Sequence, residues 1–186
     1  MKKKAKQKIV QPTPARLLHQ GKYLKLMVRD GWEFVERVMA SDVVAMIAVT
    51  PAKKLVLVEQ LRIPVGRAVL ELPAGLVADS RQRAGEALVT AARRELWEET
   101  GYEAKRWKVW MECPLNPAIS VHHMTIFRAY DLKKTGPGGG NKEENEDIRV
   151  HEMPIDQGVR WIRARERKGM FIDPKIYTAL YLLSQE

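Results

Sequence analysis

Ten consecutive residues, Arg93-Arg94-Glu95-Leu96-Trp97-Glu98-Glu99-Thr100-Gly101-Tyr102, constrain this chain more than any other stretch. Three carboxylates and two guanidiniums are crowded into one helical segment that a glycine closes. Successive helical residues turn by about 100°, so Glu95 and Glu99 fall roughly 40° apart on one face. Leu88 and Ala92 share that face, and the two acids continue an apolar stripe aimed at the protein interior. A helix with this pattern is electrostatically poor by itself. Like charges at i,i+4 repel, and Glu98 and Glu99 sit where the helix dipole is already negative. Arg94 can reach Glu98 at i,i+4, which leaves Glu95 and Glu99 in need of a positive partner. One outcome is a solvated, salt-bridged helix surface. The other is a hard divalent cation, and Mg²⁺ binds through one or two carboxylates plus substrate phosphates. Charge pattern alone leaves both open.

The surrounding residues narrow the choice. Glu86 is followed by seven residues and then Arg94-Glu95-Leu96-Trp97-Glu98-Glu99-Thr100-Gly101, with the apolar Tyr102 next. This resembles the signature of the Nudix hydrolases, G-x5-E-x7-R-E-U-x-E-E-x-G-U with U apolar. The first glycine of that pattern falls on Ser80, whereas Leu72-Pro73-Ala74-Gly75-Leu76 looks like the entry to it. We read an insertion across Ala78 to Arg83. The resemblance covers about residue 21 to the end. It implies an α/β fold, an α/β/α sandwich with a mixed β-sheet preceded by an N-terminal β-hairpin.

Cleaving a diphosphate requires neutralised non-bridging oxygens, an activated water and a stabilised leaving phosphate. Glu95 and Glu99 are the candidate metal ligands, for Mg²⁺ or Mn²⁺ in its place. By resemblance the Ala74 carbonyl is a third ligand. Glu86 binds metal through water or orients the other acids, and Glu98 shares the cluster through water or Arg94. Arg94 itself is expected to orient the acids rather than touch substrate.

A second acidic stretch, Lys142-Glu143-Glu144-Asn145-Glu146-Asp147, follows the run Gly136-Pro137-Gly138-Gly139-Gly140. As composition it is a hydrophilic loop. Glycines beside carboxylates can also swing an acid over a substrate, as active-site lids do. The glycine run must be mobile or sharply turned. It is no Walker loop, because Asn141-Lys142 lacks the following Ser or Thr and helix. Glu144 to His151 resembles the lid of the ADP-ribose pyrophosphatases within the Nudix family. That resemblance makes Glu144 the candidate base and Glu146 the auxiliary acid. Glu59-Gln60-Leu61-Arg62 resembles a strand end of the same enzymes, whose arginine meets the substrate diphosphate or ribose; a surface arginine ending a strand is the plainer reading. Trp32 is the candidate to stack on a nucleobase, from N-terminal strands that cross to a partner subunit in the resembling enzymes. Arg37 and Pro117, the latter in Asn116-Pro117-Ala118 where those enzymes have a Ser-Pro-Gly-like turn, complete the substrate-binding candidates. His122 and His123 are adjacent in an expected strand, so they point to opposite faces and at most one serves the site.

Charge and composition set the remaining bounds. The formal charge is +9, but Lys2, Lys3, Lys4, Lys6 and Lys8 supply five of those charges and leave +4. Residues 1–20 are therefore read as a basic disordered tail, 21–40 as N-terminal strands able to dimerise, and 41–186 as the hydrolase domain. A body near +4 suits an anionic phosphate substrate without demanding a nucleic acid. Gln11-Pro12-Thr13-Pro14 interrupts any apolar leader, and no run approaches a membrane span, so no membrane partner is expected. Cys113 is the single cysteine, which excludes an internal disulfide and fits a reducing cytoplasm.

Periodicity adds a coarse map. Tyr23–Val28 and Glu33–Met39 alternate about Arg29-Asp30-Gly31 as a hairpin, and Val43–Val49 and Leu55–Leu61 read as buried strands. Strands are also expected at Val69–Leu72, Lys105–Met111, His122–Tyr130 and Ile148–Met153. Helices are expected from Gly85 to Gly101, Asp156 to Lys168 and Pro174 to Leu183, the last capped by Asp173.

The leading expectation is Mg²⁺-dependent hydrolysis of nucleoside diphosphate sugars such as ADP-ribose by a homodimer. A pyrophosphohydrolase of RNA ends or dinucleoside polyphosphates is the alternative enzyme. A Nudix-fold sensor of nucleotide sugars is the alternative outside catalysis, and it goes with eroded helix acids, which are intact here.

Overall fold

The computed structural model describes residues 13–40, 42–141 and 146–186. The expected tail over residues 1–12 and the candidate base Glu144 lie outside the described residues. Eleven strands and three α-helices follow the order β1 (Arg16–Gln20), β2 (Leu24–Arg29), β3 (Trp32–Arg37), β4 (Val43–Ala48), β5 (Lys54–Arg62), β6 (Arg67–Glu71), β7 (Ala74–Leu76), α1 (Leu88–Thr100), β8 (Tyr102–Pro114), β9 (His123–Lys134), β10 (Arg149–Pro154), α2 (Gly158–Glu166), β11 (Phe171–Ile172) and α3 (Lys175–Ser184).

The hairpin β2–β3 turns through Asp30 and Gly31, at φ 50° and 82°. Two left-handed residues give the primed turn whose twist matches the strands, which is why Asp-Gly marks it in sequence. One expectation is corrected here. Residues 16–20 are not tail: β1 pairs antiparallel with β2, so the hairpin is a three-stranded sheet.

The body holds two mixed four-stranded sheets rather than one, ordered β7-β4-β9-β8 and β10-β5-β6-β11. β4 pairs parallel with β9 and antiparallel with β7. Every residue of β4 is buried, as its unbroken apolar run requires. Val44, Met46 and Ala48 pack with Ala91, Ala92 and Leu96 of α1. Val43, Ala45 and Ile47 belong to the second core, with Ile162 of α2 and Ile176 and Ala179 of α3. Helices thus cover both sides of the strands, giving the α/β/α layering.

α1 begins three residues later than the sequence suggested, which puts Glu86 in the loop before it. It stops at Gly101, left-handed at φ 70°, whose N–H bonds Trp97 O. Asp173 accepts the Lys175 N–H at 2.8 Å just before α3, and Pro174 stands at the N-cap, one residue before the position expected for it.

Candidate active site

The short strand β7 and helix α1 make the centre of the site. Gly75 of β7 has no side chain, and Glu95 lies in that space: a β-carbon there would sit 1.9 Å from the Glu95 carboxyl carbon. The Ala74 N–H donates to Glu99 Oε2 at 3.0 Å. Both acids that continue the apolar stripe are therefore buried, Glu99 to 2% exposure.

Arg94 holds the other acids around them. Its guanidinium reaches Glu86 through Nε and Nη2, each at 3.2 Å, Glu95 through Nη1 at 2.7 Å and Glu98 through Nη1 at 3.3 Å. Nη2 also donates to the Leu76 carbonyl at 3.1 Å, fastening the helix to β7. Glu86 further accepts the Ala78 N–H. Within the expected insertion, Arg81–Arg83 form a 3₁₀ turn, and Arg83 grips Asp79 at 2.9 and 3.0 Å.

The electrostatics follow from this packing. Burial pushes the Glu95 carboxyl up to about 7, against the opposing charge and hydrogen bond of Arg94. Burial and then the charge of Glu95 hold Glu99 well above the carboxylate range, opposed by the Ala74 N–H. Burial works against the Arg94 charge, but Glu86 and Glu95 outweigh it and hold that guanidinium above its usual value. Two neighbouring buried carboxylates are destabilised as anions unless a cation joins them. Among the described residues no three or more His, Cys, Asp or Glu side chains converge as a ready-made metal cage. Hard oxygen donors with an unmet demand for positive charge nonetheless fit a divalent ion that keeps water and phosphate as its other ligands.

A cleft of about 400 Å³ opens on Glu95 and Glu98. Its lining includes the acids Glu71, Asp79, Glu95, Glu98 and Glu146 and the cations Arg37, Arg62 and Lys175. Arg62 Nε is paired to Glu71 at 2.7 Å. Burial lowers the Arg37 guanidinium, and so does the charge of Arg62. Arg37 comes from the N-terminal sheet, whose docking bonds include Arg37 N–H to His122 Nε2 at 2.9 Å and Val35 N–H to Ile119 O at 2.7 Å. His122 is buried and His123 exposed, so the pair does split between faces. Pro117 is exposed in the turn closed by the Ser120 N–H on Asn116 O, near cleft-lining Leu115. Trp32 is not among the residues lining the cleft; it is 72% exposed beside the hairpin turn.

The glycine run is sharply turned, with φ of 66°, 107° and 83° at Gly138, Gly139 and Gly140. It is also bonded to the end of α1. Gly139 N–H donates to Glu99 O at 2.8 Å and Gly140 N–H to Glu98 O at 3.0 Å, while Thr135 and Gly136 N–H groups share Gly101 O. A β-carbon on Gly138 would lie 2.5 Å from the Thr100 carbonyl carbon. These glycines serve close packing of backbone on a helix end. Beyond them the Asn141 N–H donates to Glu146 Oε2 at 2.9 Å, which seats Glu146 at the cleft.

Sequence reasoning missed Asp79, Glu71 and Lys175 at the cleft. Glu71 was accessible in principle, since β5–β6 hairpin pairing places it across from Val58 with Arg62 on the same strand. Lys175 joins only through tertiary packing of α3, which no local pattern reports.

A family model of the NUDIX domain matches residues 39–173. The chain belongs to the Nudix hydrolase family. In class it is a Nudix pyrophosphohydrolase. It is 30% identical to the methanol dehydrogenase activator of Bacillus methanolicus, over 77% of this chain and 72% of that one. It is 31% identical to an ADP-ribose pyrophosphatase of Bacillus subtilis, over 66% and 63%, and 32% identical to one of Mycobacterium tuberculosis, over 63% and 54%. The chain thus spans between about half and three quarters of the length of these relatives. The crystal structure of an ADP compounds hydrolase superposes with a TM-score of 0.68 over 96% of this chain and 95% of that one, at 18% identity. That likeness is one of fold. No helix among the described residues is long and apolar enough to cross a membrane.

Proposed function

We propose that the chain hydrolyses the diphosphate bond of nucleoside diphosphate sugars such as ADP-ribose, with Mg²⁺, giving a nucleoside monophosphate and a sugar phosphate. One observation carries the reading: the acids Glu95, Glu98 and Glu146 and the cations Arg37, Arg62 and Lys175 line the same cleft of about 400 Å³. Relatives named for ADP-ribose hydrolysis support the substrate class.

Glu95 and Glu99, with the Ala74 carbonyl, would hold the metal, and Glu86 and Glu98 would adjust it through Arg94. When bound, Mg²⁺ would neutralise charge on the diphosphate oxygens. Arg94 keeps the acids oriented and does not need to meet substrate, because its donors are committed to Glu86, Glu95, Glu98 and Leu76. Arg62 and Arg37 place the anionic substrate, as paired guanidiniums suit phosphate oxygens. Glu144 takes the proton from the attacking water, whose oxygen bonds one phosphorus as the bridging P–O bond breaks toward the other phosphate. Glu146, fixed by the Asn141 N–H, is the auxiliary acid. Trp32 and Pro117 contact substrate in a homodimer built through the N-terminal sheet, Trp32 reaching across to the partner's nucleobase.

The test is a panel of nucleotide sugars incubated with the full chain and Mg²⁺, with products identified by mass. Release of a nucleoside monophosphate and a sugar phosphate is expected. Turnover confined to dinucleoside polyphosphates or RNA 5′ ends would replace the reading.

A further inference from the structure

A second cavity, of about 560 Å³, lies on the outer side of α1 and is lined by Thr90, Arg93, Arg94, Trp97, Lys105 and Trp107. At about 100° per residue, Trp97 stands roughly 160° round the helix from both Glu95 and Glu99, so this cavity backs onto the catalytic helix without sharing its acids. We propose that it is an effector site for a nucleoside monophosphate.

Each part of such a ligand has a counterpart. Trp97 is 44% exposed, a large aromatic left open on the surface of a helix otherwise well packed. Trp107 is fixed, its Nε1 donating to Ala104 O at 3.1 Å and its ring meeting Phe127 edge-on at 6.1 Å. Rigid indoles at the wall of a cavity are the usual platform for a nucleobase, whatever its identity. Arg93 and Lys105 are both exposed, and neither is in a salt bridge among the described residues. They leave an anion-binding edge beside the aromatic wall, with Glu103 the one acid of the lining. The volume falls within the range of small-ligand sites and accommodates one nucleotide. Occupancy has a route to the reaction: the Gly136 backbone lies against the Trp97 indole, and the same loop bonds the end of α1 and seats Glu146.

The choice of adenosine monophosphate as ligand rests on the proposed function, since it is a product of that reaction; the cavity does not. AMP is titrated calorimetrically into the full chain without divalent metal, and into Trp97→Ala, Arg93→Ala and Arg62→Ala variants. Trp97 and Arg93 are exposed, so their truncation should leave the fold intact, which a thermal melt checks. We expect Trp97→Ala and Arg93→Ala each to weaken AMP binding by about tenfold or more, with Arg62→Ala within about twofold of the parent. AMP binding that is absent, or lost in Arg62→Ala while untouched in the other two, would overturn the proposal. So would self-association that Trp97→Ala abolishes with AMP inert, because the cavity would then belong to a second copy. A failure of the hydrolysis reading shows separately, as missing turnover of nucleotide sugars by the unmodified chain.

Discussion

Gly75 and Glu95 occupy one space: the carboxyl group fills the position that a side chain on Gly75 would need. The strand before α1 and the helix are therefore complementary at a single atom's scale. Gly75→Ala should force Glu95 aside, costing about 1–3 kcal/mol of stability and, for a displacement near 1 Å, about 10²-fold in kcat. Thermal melts and Mg²⁺-dependent kinetics check both. Unchanged turnover in Gly75→Ala would mean that the position of Glu95 does not matter.

Glu99→Gln should nearly abolish turnover while the metal-free protein keeps or gains stability, since a carboxyl whose ionisation is opposed by burial becomes a neutral amide. The wild type has a related pH dependence. A carboxyl raised to about 7 in the folded state binds protons that the unfolded state gives up near 4.5. Its contribution is fully present below the unfolded value and is lost as pH rises through about 7, so chelator-treated protein should be less stable at pH 8 than at pH 5. For Glu95 alone the bound on that loss is roughly 3 kcal/mol, and saturating Mg²⁺ should reduce it. Melts across pH, with chelator and with Mg²⁺, decide.

Glu144→Gln should lower kcat by roughly 10²–10⁴-fold with little change in KM, the span expected for losing a general base. Glu143→Gln should be almost silent. Glu146→Gln should fall between them and respond to Mg²⁺ concentration. Equal damage from Glu143→Gln and Glu144→Gln would show that the loop acts through bulk charge.

His122→Ala removes the acceptor of the Arg37 N–H and loosens the docking of the N-terminal sheet. A lost bond of about 1 kcal/mol should raise KM for ADP-ribose roughly fivefold with kcat nearly intact. His122→Gln, which retains an acceptor, should recover much of it. A fall in kcat with constant KM would place His122 elsewhere in the reaction.

Much of this arrangement was legible in the chain. The 3.6-residue period put Glu95 and Glu99 on the buried face, and the structure buries both. Asp30-Gly31 announced its turn through backbone conformation that few other residues adopt. Residues 16–20 were not legible, because β1 is exposed throughout and presents no buried face to set a pattern. The division into two sheets was hidden too, since β4 and Leu55–Val58 of β5 are both continuous apolar runs and partner choice is non-local. The glycine run was legible only as mobile or sharply turned, and it is sharply turned. Glycine permits close approach as readily as it permits motion, and only the neighbouring backbone tells them apart.

That neighbouring backbone has a thermodynamic consequence. The last carbonyls of α1 and the amides of Gly139 and Gly140 satisfy one another, so neither partner opens without exposing the other. The acid-bearing last turn of α1 and the glycine run then form one cooperative unfolding unit, although some forty residues separate them in sequence. In native-state hydrogen exchange their amides should share a single opening free energy and a single denaturant dependence. A change in the glycine run would therefore be felt at Glu98 and Glu99.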